Sequence, residues 1–328
     1  MKLEKKNKWF VTGAAGFIAS HICDYLIQNG QDIIAVDNFL TGQQSNIDYL
    51  NNQLSKFPGA SFSFYNENIC DTEKMIELSN GCDKIIHQAA LGSVPRSIEL
   101  PINSHENNVN GFISILEAAR ANNIKRVVYA SSSSVYGDSP KLPKVEEDTG
   151  KVLSPYAATK AINEVYADAY KAAYNLEPIG LRYFNVFGPR QNPEGVYAAV
   201  IPKWLGELTS GKTPVINGDG TTSRDFCFVD NAVQANILAA ITDNQKAFGE
   251  AFNIACEERT SLTELYEYIA KALENRNVDF KAPEVKYTDF RKGDIKHSLA
   301  SVKKANDLLG YIPKVLVKEG IEITSKAY

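Results

Sequence analysis

Tyr156 and Lys160 are the residues whose types and spacing most directly suggest chemistry. Positions four apart share one face of a helix, so the two side chains would lie side by side. A lysine ammonium beside a phenol favours the phenolate and lowers the tyrosine pKa from about 10, which creates a base usable near neutral pH. This spacing alone is common and usually marks a solvated helix face. The hydroxyl run at 131–134, at the end of a predicted strand, supplies a hydrogen-bonding partner.

A glycine-rich turn follows the first predicted strand and opens the first predicted helix, where Gly13, Gly16 and Ala19 give the spacing GxxGxxA. Glycine lets the backbone approach a pyrophosphate, and a helix N-terminus offers free N–H groups and a positive dipole end. Asp37 ends the next strand, 24 residues after Gly13. A carboxylate there accepts from a ribose diol and repels a 2′-phosphate, which favours NAD over NADP. The alternatives are that the glycine turn serves only to reverse the chain direction, and that Asp37 serves only as a helix cap.

Alternating strands and helices must position these residues. Short apolar runs predict strands at 9–12, 32–36, 61–65, 84–87, 126–130 and 178–182. Helical spacing appears between them at 18–29, 72–79, 108–122 and 155–174. Near-continuous apolar strands that alternate with helices predict an α/β fold with a doubly wound parallel sheet, covered on both faces. In such a sheet the C-terminal ends of the strands face the ligand crevice. The hydroxyl run at 131–134 is therefore expected to face it too.

The second half of the chain has a less regular pattern. Helices are predicted at 231–242, 262–275 and 302–308, separated by Gly/Asp-rich turns. We expect residues 1–182 to form the dinucleotide-binding Rossmann domain, with a later segment at about 226–258 returning to it. Residues 183–225 and 259–328 are expected to form a smaller, discontinuous α/β lobe that binds the substrate.

Composition excludes several classes of function. The 328 residues carry a net charge of −4, with a pI of about 5.7, which disfavours a nucleic-acid or anionic-membrane partner. The five cysteines are scattered without a CxxC, and the four histidines form no ligand cluster, so no metal site is expected. No apolar run of membrane-spanning length occurs, and a cytoplasmic location is expected.

Taken together, these features resemble the extended short-chain dehydrogenases/reductases, and more narrowly the UDP-galactose 4-epimerase family, over essentially the whole chain. The narrower resemblance rests on six segments: HQAALGSVPRS (87–97), SSSSVYG (131–137), LRYFNVFGPRQ (181–191), YAAVIPKW (197–204), NGDGTTSRDFCFVDN (217–231) and FRKGDIKHS (290–298). It implies NAD as cofactor and an isomerase that inverts C4 of a UDP-sugar.

The resemblance also implies roles for individual residues. Tyr156 matches the family's base, Lys160 its ribose-binding partner and Ser132 its hydrogen-bonding serine. The positions implied to contact NAD, besides Tyr156 and Lys160, are Gly13, Ala15, Gly16, Phe17, Ile18, Asp37, Asn38, Thr41, Gly42, Asn68, Ile69, Gln88, Ala89, Ala90, Asn107, Ala130 and Tyr183. Asn68 replaces the aspartate that usually meets adenine in the family.

The UDP-sugar is implied to contact Ser93, Ser132, Ser133, Asn185, Ala199, Val200, Trp204, Asn217, Arg224, Arg291, Asp294 and Ser298. Arg224 and Arg291 would clamp the diphosphate bidentately while the hexose turns. Trp204 has a core role as its alternative, and Asn185 and Asn217 are alternatively interpreted as satisfying loop backbone. Relatives pair through helices that flank the sheet, so a homodimer is expected through 108–122 and 155–174.

Substrate preference is inferred from a few positions. Related 4,6-dehydratases carry an Asp-Glu pair where this chain has Ser133 and Ser134, which disfavours dehydration. Hexose-only epimerases of the family can carry tyrosine where this chain has Ser298, so a small residue predicts room for an N-acetyl group and a UDP-GlcNAc/UDP-GalNAc 4-epimerase. The alternatives are a 4-epimerase of UDP-hexosaminuronic acids or UDP-glucose, a simple dehydrogenase, and a catalytically silent NAD-binding regulatory protein.

Overall fold

A seven-stranded parallel sheet organises the structure, a computed structural model that describes residues 3–193, 199–290 and 296–328. Its strands are β1 (Lys8–Thr12), β2 (Asp32–Asp37), β3 (Ser61–Asn66), β4 (Lys84–His87), β5 (Arg126–Ser132), β6 (Glu177–Tyr183) and, later in the chain, β11 (Ala251–Ile254). The spatial order is β3-β2-β1-β4-β5-β6-β11, and every neighbouring pair is parallel. The order reverses between β1 and β4, which is where such sheets bind ligands. The predicted doubly wound α/β fold is confirmed.

Helices cover both faces of the sheet. They are α1 (Phe17–Gln28), α2 (Gln44–Leu54), α3 (Thr72–Ser79), α4 (Val94–Glu99), α5 (Pro101–His105), α6 (Gly111–Ala121), α7 (Pro155–Tyr174) and α9 (Val229–Ile241). A π-helical turn, Glu106–Asn110, joins α5 to α6, and a 3-10 turn, Ser133–Tyr136, follows β5. Successive residues of β1 point to opposite sides: Trp9 and Val11 enter one apolar cluster and Phe10 the other. Strands that are apolar on both faces therefore require helices on both faces.

The remaining elements form a smaller assembly beside the C-terminal ends of the strands. They are β7 (Val186–Phe187), α8 (Val200–Thr209), β8 (Val215–Asn217), β9 (Ser223–Asp225), β10 (Cys227–Phe228), β12 (Arg259–Ser261), α10 (Leu262–Arg276), β13 (Lys286–Thr288) and α12 (Val317–Ser325). The helix α11 (Lys303–Leu309) is the exception, because it packs against β11 and α9 in the apolar core of the large sheet. A third apolar cluster that includes Trp204, Leu265 and Ile321 holds much of this assembly together. The division into two lobes stays a prediction, and the structure adds that Ala251–Ile254 pairs with β6 as the edge strand of the large sheet.

Several elements differ from the sequence-based expectation. The helix α2 was not predicted because it is rich in Gln and Asn and buries only Asn46, Ile47 and Leu50. The strand β11 is four residues long, too short for a clear pattern. The helix predicted at 108–122 begins earlier and contains the π-helical turn Glu106–Asn110. The helices α8 and α12 lie in the half of the chain where periodicity was weak.

Candidate active site

A cavity of about 480 Å³ lies at the C-terminal ends of the sheet strands and holds most of the residues predicted to contact NAD. The predicted residues that line it are Gly13, Gly16, Phe17, Ile18, Asp37, Asn38, Thr41, Ile69, Gln88, Ala89, Ala90, Asn107, Ala130, Ser132, Ser133, Tyr156, Lys160, Tyr183 and Asn185. They come from every segment between β1 and β6, and the sheet topology alone brings them together.

The glycine turn forms a cradle at one end of this cavity. Gly13 has φ of +75°, and a Cβ built on it would lie 2.7 Å from the backbone nitrogen of Ala89. Gly16 caps α1 without any side-chain hydrogen bond to the helix's first N–H groups. An uncovered helix N-terminus beside a close backbone turn fits a pyrophosphate.

Asp37 lies at the same end, at the last position of β2. Its carboxylate is buried and accepts hydrogen bonds from the backbone N–H of Ala15 (3.0 Å) and of Phe39 (2.7 Å). Burial raises the pKa of this carboxyl, and the backbone donors oppose that shift. Asp37 therefore braces the glycine turn while still lining the cavity. Among the described residues that line it, Lys160 is the only Lys or Arg, so the adenosine end has no cation for a 2′-phosphate and the site fits NAD.

Tyr156, Ser132 and Lys160 lie at the other end. Tyr156 is in the first turn of α7, where Ser154 caps the helix and Pro155 takes the first position. Ser132 lines the cavity together with Tyr156, and its hydroxyl favours the ionised form of the phenol. Lys160 is buried, donates to the Ala130 carbonyl oxygen (2.9 Å) and lies 6.0 Å from the centre of the Tyr156 ring. The predicted juxtaposition of base, hydroxyl and ammonium is present.

The electrostatics of this trio correct one expectation. Burial raises the pKa of the Tyr156 phenol, and the hydroxyl of Ser132 acts in the opposite direction. Lys160 does not set the shift, because its ammonium bonds to the Ala130 carbonyl and is not in contact with the phenol oxygen. Burial also lowers the pKa of Lys160 to about 8, while nearby Glu164 favours the charged form. Lys160 therefore loses its proton more readily than an exposed lysine does.

The π-helical turn positions the start of α7. Asn107 faces the cavity, whereas the next residue, Asn108, is fully buried. The Asn108 side chain accepts from the N–H of Leu91 (2.7 Å) and donates to the Thr159 hydroxyl (3.1 Å). The Tyr156 N–H in turn donates to the hydroxyl of Ser97 (3.0 Å). Neither Asn108 nor Ser97 was identified from the sequence, since a buried polar clamp has no local signature.

A second cavity of about 310 Å³ shares Asn185 and Val186 with the first. The residues predicted to bind UDP-sugar that line it are Asn185, Ala199, Val200, Trp204, Asn217 and Arg224. Trp204 lines it and also belongs to the apolar core, so its position is compatible with both interpretations of that residue. The Asn185 amide donates to the Asp225 carbonyl oxygen (2.9 Å), which supports its loop role, yet the residue faces both cavities.

Other predicted site residues lie elsewhere. Arg291 and Asp294 lie outside the described residues. Ala15, Gly42, Asn68, Ser93 and Ser298 are not among the residues that line either cavity. Ala15 and Gly42 pack together next to the Asp37 carboxylate. The Asn68 side chain accepts a hydrogen bond from the Cys70 N–H, and the Ser93 hydroxyl caps the N-terminus of α4. Ser298 pairs through its backbone with Ser223, next to Arg224.

Several lining residues were missed from the sequence. Gln191 lines the first cavity, and its buried Oε1 has no hydrogen-bond partner among the described residues. Asn236 lies behind the cavity on α9, where it donates to the Tyr183 hydroxyl (2.7 Å) and accepts from the Gln88 amide (3.0 Å). Contacts of this kind cross long stretches of chain and leave no spacing to recognise.

Two negative findings concern the described part of the chain. No group of three or more His, Cys, Asp or Glu side chains there has the arrangement of a metal site. No described helix is both long and apolar enough to cross a bilayer.

Comparisons with known proteins agree with this geometry. Residues 9–255 match the model of the NAD dependent epimerase/dehydratase family. The chain is 36% identical over 313 residues to a putative UDP-glucose 4-epimerase of Methanocaldococcus jannaschii, with 95% of each chain covered. It superposes with a TM-score of 0.88 on a UDP-N-acetylglucosamine 4-epimerase from Methanobrevibacter ruminantium M1 in complex with UDP-N-acetylmuramic acid, at 38% identity, covering 100% of this chain and 98% of that one.

A third comparison bears on the cofactor. The UDP-glucose 4-epimerase of Thermus thermophilus, solved in complex with NAD, superposes with a TM-score of 0.82 at 31% identity, covering 98% of each chain. The family model, the Thermus thermophilus structure and the cradle at Gly13 agree on NAD as the cofactor of this protein. The chain belongs to the NAD dependent epimerase/dehydratase family.

Proposed function

We propose that this protein is a UDP-sugar 4-epimerase, an isomerase that interconverts UDP-GlcNAc and UDP-GalNAc through a transient 4-keto sugar. The observation that carries the proposal is the position of Tyr156, Ser132 and Lys160 in the NAD cavity, which adjoins a second cavity through the shared residues Asn185 and Val186. A sugar bound across this junction would present its C4 hydroxyl to Tyr156.

The chain's own residues divide the work of the reaction. Tyr156 as phenolate removes the proton from the sugar O4, and the Ser132 hydroxyl donates a hydrogen bond that stabilises that phenolate. Bound NAD would supply the hydride chemistry at C4, and the positive charge of its oxidised ring would favour the phenolate. When the 4-keto group is reduced, Tyr156 returns the proton to O4. Arg224 is the described residue proposed to hold the diphosphate while the 4-keto sugar turns and presents its opposite face.

Ser133 and Ser134 support epimerisation over dehydration. Both belong to the 3-10 turn that follows Ser132, and Ser133 lines the NAD cavity. Neither hydroxyl can act as the carboxyl acid or carboxylate base that loss of water across C5 and C6 requires. The carboxylates among the described lining residues of this cavity are Asp37 and Glu67, which lie at the ends of β2 and β3.

The N-acetyl preference rests on small and polar residues. Ala199 adds little bulk to the second cavity. Gln191 lines the first cavity, and its buried amide oxygen has no hydrogen-bond partner among the described residues. That oxygen can accept from the N–H of an acetamido group, which would satisfy an otherwise unpaired acceptor. For a uronic acid, Lys203 is an additional lining cation, but it pairs with Glu207 at 3.7 Å and is partly neutralised.

A direct test offers the purified protein UDP-GlcNAc, UDP-glucose and UDP-GlcNAcA separately, without added NAD, and follows C4 inversion by NMR. We expect UDP-GlcNAc to be converted fastest. Inversion of the uronic acid alone would overturn the substrate assignment. Tight binding of UDP-sugars without any turnover would favour the regulatory alternative.

Ser298 is proposed to leave room for the acetamido group of the sugar. Its N–H donates to the Ser223 carbonyl (3.0 Å), so its backbone is fixed next to Arg224. For Ser298→Tyr we expect kcat/KM to fall at least about 10-fold more for UDP-GlcNAc than for UDP-glucose, because the acetamido group needs the space that the ring would fill. Ser298→Ala is the matched control and should leave the ratio unchanged. An equal loss on both substrates for the tyrosine variant would remove this role.

We also propose that the protein is a homodimer, and that the interface differs from the one expected. The helix α6 is buried along nearly its whole length. Exposed apolar side chains lie instead on the neighbouring helices α4, α5 and α7, where Ile98, Ile102 and Val165 are 63%, 73% and 68% exposed. Contiguous exposed apolar surface is typical of an interface. We therefore propose that α4, α5 and α7 together form the dimer interface, with α4 and α5 in place of 108–122.

Ile102→Glu tests the dimer. Sedimentation should give twice the chain mass for the wild type and the single mass for the variant, because burying a carboxylate in an apolar interface is unfavourable. Val278→Glu, at a position 82% exposed outside these helices, is the control and should not change the mass. A monomeric wild type at micromolar concentration would refute the proposal.

A further inference from the structure

A buried cluster of polar residues lies directly behind the catalytic trio. Glu164, on α7, accepts from the Ser131 hydroxyl at 2.5 Å. Its two carboxylate oxygens also accept from Nε (2.9 Å) and Nη2 (2.8 Å) of Arg182, on β6. The Glu164 and Arg182 side chains are only 18% and 7% exposed. Arg182 continues the cluster to the Tyr136 hydroxyl (3.1 Å), which donates to Asn253 (2.6 Å). We call these five side chains the Glu164 cluster.

The Glu164 cluster connects the two elements that carry the trio. Glu164 lies one helical turn after Lys160 and two turns after Tyr156, so it shares their face of α7. Ser131 is the residue immediately before Ser132 at the end of β5. The Ser131–Glu164 hydrogen bond therefore fixes the strand end that bears Ser132 against the helix that bears Tyr156.

The carboxylate also acts on Lys160 through charge. Burial disfavours the ammonium of Lys160, and Glu164 is the charged group that favours it. Three titratable or charged groups face Lys160, namely Tyr156 and Glu164 on α7 and His87 on β4. Those that face Glu164, besides Lys160, are Arg182 on β6, Tyr129 on β5 and Asp168 on α7. His87 is buried next to Thr12, and burial lowers its pKa to about 3, so it is neutral and adds no charge near neutral pH.

Arg182 makes a buried carboxylate tolerable at this position. Its guanidinium binds both oxygens of Glu164, and the charge-assisted, bidentate geometry compensates for the loss of water around both ions. The cluster is thus neutral as a whole, yet its negative end is the end near Lys160.

We propose that Glu164 is a positioning residue that keeps Lys160 charged and aligns Ser132 with Tyr156, with Arg182 as its buried counter-ion. This inference deepens the proposed epimerase function and rests on it for its effect on turnover. Its effect on Lys160 can be measured without any turnover.

The test compares Glu164→Gln with the wild type in two measurements. The first is the titration of Lys160 by NMR of protein labelled with ¹³C-lysine, with Lys160→Met used to assign the signal. The midpoint should fall by about one pH unit, because an acceptor of the same shape no longer carries charge. The second is kcat against pH, whose alkaline limb should move in the same direction, with KM for the UDP-sugar within about 3-fold of the wild type.

Asp168→Asn is the matched control. It removes one negative charge from the same helix, one turn beyond Glu164. Asp168 is exposed and makes no hydrogen bond to Ser131 or Arg182 among the described contacts. Neither the Lys160 midpoint nor the kcat profile should change by more than about 0.3 pH units, since an exposed charge is strongly screened. If Glu164→Gln does not fold, the double variant Glu164→Gln/Arg182→Met removes both charges without leaving one unpaired. The Lys160 midpoint should then still fall, by less than in the single variant, because the Arg182 cation that also disfavours the ammonium is gone.

The outcomes separate this inference from the proposed function. An unchanged Lys160 midpoint in a folded Glu164 variant overturns the positioning role, whatever the enzyme turns over. A loss of stability with kcat and its pH profile unchanged also overturns it, because a purely structural role predicts that result. A lowered midpoint in a protein that epimerises no UDP-sugar would support the electrostatic role of Glu164 and refute the epimerase proposal.

Discussion

Replacing Tyr156 with phenylalanine is expected to lower kcat for C4 inversion by about 10²- to 10⁴-fold, the usual contribution of a positioned base. The phenol lines the cavity together with Ser132, and Lys160 lies on the same helix face. Phenylalanine keeps the ring and its packing but removes the oxygen that accepts the O4 proton. NMR with UDP-GlcNAc as substrate measures the loss, and UV absorbance of the purified variant measures the NAD that it retains.

Tyr183→Phe is the matched control for that variant. Tyr183 is also a tyrosine in the NAD cavity, and its hydroxyl donates to Gln88 (3.1 Å), away from the trio. Loss of that hydroxyl should reduce kcat far less than Tyr156→Phe does, because it removes two neutral hydrogen bonds, to Gln88 and from Asn236, of about 1 kcal/mol each and no acid–base group. Near-normal turnover by Tyr156→Phe, with NAD retained, would reject Tyr156 as the base. Loss of bound NAD from that variant would instead assign it a binding role.

Gly13→Val is expected to abolish copurification of NAD and to reduce activity by more than about 100-fold. The valine would displace the turn from the pyrophosphate, and each loss of about 1.4 kcal/mol of binding free energy lowers the affinity for NAD tenfold. A Cβ at this position would lie 2.7 Å from the backbone nitrogen of Ala89 and 2.9 Å from its Cα, so the turn and the end of β4 must separate. The residue also has φ of +75°, which a β-branched side chain adopts only with strain. The measurement is the NAD content of the purified protein, together with its melting temperature.

Gly81→Val separates strain from crowding. Gly81 has a similar φ of +72°, and a Cβ there would meet no atom within 4 Å. The control should therefore lose about 1–3 kcal/mol of stability but keep its NAD. If both variants retained NAD equally, the close approach of Gly13 to Ala89 would not be what shapes the pyrophosphate site.

Much of the fold followed from local patterns. The first six strands of the sheet were recognised because each is short, rich in apolar residues and bounded by turns, and β1 is apolar on both faces, as Trp9, Phe10 and Val11 show. Elements without such a pattern were missed, including the polar helix α2 and the four-residue strand β11. Tertiary packing stabilises these elements, so their own sequences carry little signal.

The candidate site divides in the same way. Residue type and spacing alone indicate the chemistry of some site residues, namely the glycine turn, Asp37 and the pair Tyr156 and Lys160. Gln191 and Asn236 have no such spacing, although each contacts or lies behind the cavity. Glu164 continues the four-residue spacing of Tyr156 and Lys160, but its partners Ser131 and Arg182 lie on strands of the sheet and could not be read from it. The expected direction of the Tyr156 pKa shift was wrong for a related reason, because burial depends on neighbours that are distant in sequence.

The sequence by itself therefore determined the class of sheet, the cofactor and the identity of the proposed base, since these depend on residues close together in the chain. The tertiary structure alone decided which buried groups surround that base, that Glu164 joins the helix of Tyr156 to the strand of Ser132, and that the exposed apolar face lies on α4, α5 and α7. The physical reason is that desolvation and hydrogen bonding act over a few ångströms in space. They are set by segments such as β5, β6 and α7, which meet only when the sheet forms.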